Sequence, residues 1–145
     1  MKTVLVTGAN KGIGYEVARQ LAEKGFHVFI GARKPEAGRR AANQIVNKGG
    51  KATFLEIDVA DDASVIAAAR ELAKAVDHLD VLVNNAGIMV DGDEGILKIS
   101  DDLLRQTLET NSLGPLRVTR AFADLLAKSK APRVINVSSG GGQLT

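Results

Sequence analysis

Three glycines near the N-terminus, Gly8, Gly12 and Gly14, stand in the run Thr7-Gly8-Ala9-Asn10-Lys11-Gly12-Ile13-Gly14. An apolar stretch, Val4-Leu5-Val6, precedes them, and a helical pattern, Tyr15 to Leu21, follows. A glycine turn between a buried strand and a helix suits a pyrophosphate. Glycine takes positive φ and lets backbone approach phosphate oxygens with no Cβ between. The helix N-terminus adds unpaired N–H groups and the positive end of its dipole. The spacing therefore implies a dinucleotide site at the head of a doubly wound sheet.

The next strand end narrows the dinucleotide. An NAD-type site places Asp or Glu about 20 residues beyond the glycines to hold the ribose hydroxyls. Here the chain runs Ile30-Gly31-Ala32-Arg33-Lys34, with no carboxylate and two cations. A carboxylate would repel a 2′-phosphate, whereas a guanidinium grips one through two parallel hydrogen bonds. Arg33 is the candidate for that grip, and Lys11 supplies a second positive charge. Asp58-Val59 closes the third apolar run and Asn84-Asn85-Ala86-Gly87 the fourth. The Asn amides can tie neighbouring strand ends together, and the small residues leave room for a ribose against backbone. Asp58 taken alone reads equally as a cap of the following helix.

These groups need a frame that brings them to one edge. Val4–Val6, His27–Ile30, Ala52–Ile57, Asp80–Val83 and Arg133–Val137 read as strands. Ile13–Lys24, Pro35–Lys48 and Asp61–Val76 read as helices, with Gly25 and Gly49 as stops. Ser100 reads as the N-cap of a long helix running to about Lys128. Residues 88–99 and 138–145 read as loops. Strict alternation with right-handed crossovers predicts one α/β domain over residues 1–145. It is a doubly wound, Rossmann-like parallel sheet in the order 3-2-1-4-5. The ligand then lies at the carboxyl ends of the first and fourth strands.

Composition agrees and excludes alternatives. The 145 residues are 45% hydrophobic but only 3% aromatic, so the core is aliphatic, as suits a parallel sheet covered on both faces. A net charge of +2 with no basic stripe among aromatics argues against nucleic acid. The absence of cysteine removes disulfides, zinc–thiolate sites and thiol nucleophiles. No run of about 18 apolar residues and no signal-like start is present, so a cytoplasmic protein without membrane contact is expected. His27 and His78 read as structural or exposed, and no cluster has metal-ligand spacing.

The Thr7-Gly8-x-x-x-Gly12-x-Gly14 spacing, with Ile13 between the last glycines, resembles the short-chain dehydrogenase/reductase family. With Asn84-Asn85-Ala86-Gly87 the resemblance spans the whole chain, and Gly8-Ala9-Asn10-Lys11-Gly12-Ile13-Gly14 is similar to the carbonyl reductase branch. The resemblance implies that Gly8, Asn10, Lys11, Gly12, Ile13, Gly14, Arg33, Asp58, Val59, Asn85, Ala86 and Gly87 bind NADP(H), Asp58 accepting from the adenine amino group. It implies that Asn111, in Thr110-Asn111-Ser112-Leu113-Gly114, holds a proton-relay water. It also implies that Ser139 hydrogen-bonds the oxygen of a small ketone or aldehyde, while Ser138 points the other way because strand side chains alternate.

The family's acid, in Tyr-x-x-x-Lys, stands roughly a dozen residues after that serine. Six residues follow Ser139 here, none Tyr or Lys, and the sole tyrosine is Tyr15. The expectation is an NADP(H)-dependent carbonyl reductase of which these residues are the cofactor-binding part, inactive by themselves for want of the acid step. The alternative is an NADP-binding module without catalysis. A flavin carrier or methyltransferase fits the Asn84–Gly87 motif less well. A bare fifth-strand edge and an apolar helix face through Leu104, Leu108, Phe122 and Leu126 predict self-association into a homo-oligomer.

Overall fold

The computed structural model describes residues 1–87 and 100–138. Strands β1 (Thr3–Thr7), β2 (His27–Ala32), β3 (Lys51–Glu56), β4 (Val81–Asn84) and β5 (Arg133–Asn136) are separated by helices α1 (Gly12–Glu23), α2 (Pro35–Asn47), α3 (Asp62–Ala75) and a broken helical stretch before β5. All pairings are parallel and the order is β3-β2-β1-β4-β5, as the alternation predicts. No helix among the described residues is long and apolar enough to cross a membrane.

Strand β1 is buried along its whole length, and alternation sends its side chains into two layers. Leu5 joins Phe29, Leu55 and Leu82, with Leu72, Val118 and Phe122 packed over them. Val4 and Val6 join Val28, Ile30 and Val83 against Ala18 and Ala22 of α1 and Ala41 and Ala42 of α2. Small alanines let these helices lie close to a sheet with few aromatics to fill space. Tyr15 packs against this second layer, as its place beside the glycine turn suggests.

The long helix expected from Ser100 to about Lys128 is broken. Ser100 caps it as expected, its hydroxyl accepting the Leu103 N–H. Then α4 (Asp101–Leu108) passes into a π turn (Glu109–Leu113), α5 (Gly114–Ala121), a turn at Phe122 and α6 (Ala123–Ala127). Pro115 carries no N–H, so the carbonyl of Asn111 loses its i+4 donor, and the π turn absorbs the mismatch with an extra residue. Each added residue rotates a helix face by about 100°, which corrects the expected apolar stripe. Leu104 and Leu108 are 37% and 49% exposed, but Phe122 is fully buried and Leu126 nearly so.

At the amino end of the sheet, Asp80 gathers three elements. Its Oδ2 accepts the Thr3 N–H at 2.8 Å and pairs with His78 Nε2 at 3.0 Å, and its Oδ1 accepts the Ser129 hydroxyl at 2.6 Å. Burial pushes this carboxyl up, but the Ser129 and Thr3 hydrogen bonds and the His78 imidazole outweigh it and hold the group below its ordinary value. His78 is thus structural. Serine and histidine both turn to the same carboxylate, which makes a tie between elements rather than a nucleophile–base relay. Its stabilisation is present above the ordinary carboxylate value, about 4, and is lost as pH falls through the lowered native value. Replacing Asp80 by Asn should cost about 1.5–3 kcal/mol at pH 7, and the gap between wild type and variant should close below about pH 4. Urea unfolding across that pH range reads both effects.

Candidate functional site

The three glycines of the turn after β1 are required for different reasons. Gly12 has φ of 62° with nothing within 4 Å of a built Cβ, so conformation alone selects it. Gly14 has an ordinary φ, but a Cβ there would strike the Asn85 amide nitrogen and lie 2.5 Å from the Gly8 carbonyl oxygen. Gly8 meets both demands, with φ of 63° and only 2.8 Å from a Cβ to Ala86 Cα. The turn is thus pressed against the end of β4.

Thr7 holds that contact. Its hydroxyl accepts the N–H groups of Asn85 and Ala86, each at 3.0 Å, and faces the Val83 carbonyl at 3.4 Å. Asn85 Nδ2 donates back to the Gly8 carbonyl at 3.2 Å. On the far side, the Ala9 N–H donates to Gly31 O at 3.0 Å, fixing the turn to β2. Asn84 faces the opposite way. Its Nδ2 donates to Asn136 Oδ1 at 2.9 Å and to Thr119 at 3.3 Å, locking β5 to β4. The Asn amides do tie strand ends together.

Over this platform opens a cavity of about 430 Å³. Gly8, Asn10, Lys11 and Gly12 form one side. Ala32, Arg33 and Lys34 follow from the end of β2, Ile57, Asp58 and Val59 from the end of β3, and Asn85, Ala86 and Gly87 from the end of β4; Thr110 of the π turn closes the last side. Lys11, Arg33 and Lys34 are all exposed at its rim. Asp58 does not cap α3. That cap is Asp61, which accepts the N–H groups of Ala63 and Ser64, while Asp58 Oδ1 accepts the Ala60 N–H at 3.0 Å in a short turn.

Ten of the sequence-derived residues therefore line one cavity: Gly8, Asn10, Lys11, Gly12, Arg33, Asp58, Val59, Asn85, Ala86 and Gly87. Ile13 stands outside it, 68% exposed, and Gly14 lies buried beneath the turn. Asn111 borders it: a Cβ built on Gly87 would lie 3.2 Å from Asn111 Oδ1. Ser139 lies outside the described residues. Sequence reasoning missed Ala32, Lys34, Ile57 and Thr110 as lining residues, and used Thr7 only as the start of a motif. Ile57 directly precedes a chosen pair. Thr110 likewise directly precedes a chosen residue, Asn111, but it stands in a π turn where a regular helix is expected.

Backbone donors of a glycine turn, three rim cations and one carboxylate make a site for an anionic nucleotide at the reversal point of a doubly wound sheet. That is the class the geometry defines. The family model described as short chain dehydrogenase matches residues 2–145, and the chain belongs to this family of NAD(P)-binding oxidoreductases. It is 37% identical to (+)-neomenthol dehydrogenase of Arabidopsis thaliana over 97% of its own length and 54% of that protein's. It superposes on a metagenomic short-chain oxidoreductase solved with NADP at a TM-score of 0.90, with 32% identity, covering 99% of this chain and 64% of that one. An actinorhodin polyketide ketoreductase variant solved with NADPH gives a TM-score of 0.89 and 33% identity, covering 98% of this chain and 55% of that one. The chain spans about half the length of the curated relatives it matches.

The Thr7 hydroxyl should be indispensable to this platform. Thr7→Val keeps the shape but strands two backbone N–H groups, and should cost about 2–4 kcal/mol. Thr7→Ser should keep most of the stability. Denaturant unfolding of the two variants separates the hydroxyl from the packing.

Proposed function

We propose that this chain binds NADP(H) and that the whole protein uses it to reduce the carbonyl of a small ketone or aldehyde. The observation that carries the cofactor choice is the cationic rim: Arg33 and Lys34 at the end of β2 and Lys11 across the turn border one cavity, with no carboxylate at the end of β2 where the ribose hydroxyls of NAD would need one. Two of the similar solved structures contain NADP or NADPH, and a relative 37% identical to this chain is a dehydrogenase by name.

In this reading the turn from Gly8 to Gly14 receives the pyrophosphate, with Asn10, Lys11, Gly12 and Ile13 around it. Arg33 takes the 2′-phosphate in a forked pair of hydrogen bonds. Asp58 accepts from the adenine amino group and Val59 packs on the ring. Asn85, Ala86 and Gly87 form the bed for the nicotinamide ribose. Bound NADPH supplies a hydride for the carbonyl carbon. Ser139 hydrogen-bonds the substrate oxygen, and Asn111, beside Gly87, orders a water for proton relay. The Tyr-x-x-x-Lys pair that serves as acid in the family is not among these 145 residues, so no acid is assigned to this chain.

Arg33→Ala should weaken NADPH binding by about 1.5–3 kcal/mol, the scale of a hydrogen bond to a charged group, and leave NADH nearly unchanged. Fluorescence titration of both cofactors reads the difference. Equal losses for the two would remove Arg33 from the 2′-phosphate.

A further inference from the structure

Arg117 contacts three separate residues around the site, Val59, Asp62 and Glu109, yet it is not among the residues that line the cavity. Its Nη1 donates to the Val59 carbonyl at 2.7 Å and its Nη2 to Glu109 Oε2 at 2.7 Å. Nη1 also lies 3.5 Å from the Glu109 carbonyl, and Nε lies 3.3 Å from Asp62 Oδ1. The side chain is only 18% exposed, whereas Asp62 is 78% exposed, so the Asp62 arm is a weak surface pair. The Val59 and Glu109 arms carry the geometry.

Those two arms reach two elements that supply lining to the cavity, the end of β3 and the broken helix. Val59 lines the cavity, its side chain is buried in the core, and its carbonyl accepts from Arg117 of α5. Glu109 opens the π turn, and the next residue, Thr110, lines the cavity. Gly114 permits the approach, since a Cβ there would lie 3.0 Å from Val59 Cγ2. The π turn also needs outside support, because Pro115 removes a helical donor just where regular bonding would resume. A guanidinium holds its partners at fixed separation because its donors form a rigid planar fork, which a lysine does not provide.

We infer that Arg117 is a positioning residue that sets the width of the adenine slot by tying Val59 on one wall to the Glu109–Thr110 turn on the other. The inference depends on the NADP(H) reading above. In a slot of fixed width the base cannot shift, and Asp58 discriminates adenine, which offers an amino group, from hypoxanthine, which puts a carbonyl oxygen against the carboxylate. Once the slot loosens, the base moves away from Asp58 and the discrimination falls.

The test is the ratio of dissociation constants for NADPH and its hypoxanthine analogue, the reduced nicotinamide hypoxanthine dinucleotide phosphate, by fluorescence titration. Wild type should favour NADPH by about tenfold or more, the value of one hydrogen bond to a charged group. Arg117→Met should bring the ratio to within about threefold, and Glu109→Gln should give an intermediate ratio. A purely structural arginine would lower thermal stability and leave the ratio unmoved in both variants, which overturns the inference. Should Arg117→Met fail to fold, Glu109→Gln decides alone, because that side chain is 44% exposed and an unchanged ratio there also overturns it. Wild type that binds NADPH without preferring adenine removes the slot but leaves the NADP(H) reading. Wild type that binds neither removes both.

Discussion

The site depends on one hydroxyl. Thr7 ends the most buried strand and accepts two consecutive backbone N–H groups from the chain leaving β4. Those groups sit where β4 has stopped pairing and the chain is turning away, so no strand partner exists for them. A buried N–H left unpaired costs about 1–3 kcal/mol, and here there are two half-buried ones. The hydroxyl thereby brings Asn85, Ala86 and Gly87 against the glycine turn. Everything else follows from that closeness: Gly8 must lack a Cβ because Ala86 is there, and Gly14 must lack one because the Asn85 amide reaches across to the Gly8 carbonyl.

The two ends of the sheet solve different problems. At the amino end, Asp80 joins Thr3, His78 and Ser129, so charge and hydrogen bonding there serve cohesion. At the carboxyl end, the polar groups that line the cavity are presented outward: Lys11, Arg33 and Lys34 are exposed at the rim, with backbone of the glycine turn below. A parallel sheet favours this division, since its strand ends all face one way and the winding reversal between β1 and β4 leaves a crevice there. Arg117 then works behind the crevice, joining the wall that β3 supplies to the wall that the broken helix supplies.

Much of this was legible in the chain. Apolar runs separated by helical spacing gave all five strands and their order, because a glycine turn after β1 and right-handed crossovers leave few other windings. The cavity lining was largely legible because it comes from the residues just after strands, where short motifs stand together. What was not legible depends on contacts between distant residues or on phase. Asp58 taken alone reads as a cap and Asp61 as the first residue of the helix, and only the approach of Ala63 and Ser64 makes Asp61 the cap. The stripe from Leu104 to Leu126 is continuous on a regular helix, but the π turn and the bend at Phe122 rotate its second half into the core. Pro115 was the available sign of that break. Arg117 gave no sign, since its partner Val59 lies 58 residues away.

In our proposal the cationic rim of this cavity takes a 2′-phosphate. Side-by-side isothermal titration calorimetry of the purified protein with NADPH and NADH at one ionic strength tests it most directly. NADPH should bind at least about tenfold tighter, as one retained charge-assisted contact to the extra phosphate requires, and added salt should narrow the gap because the rim is exposed. Equal affinities, or tighter binding of NADH, would contradict it.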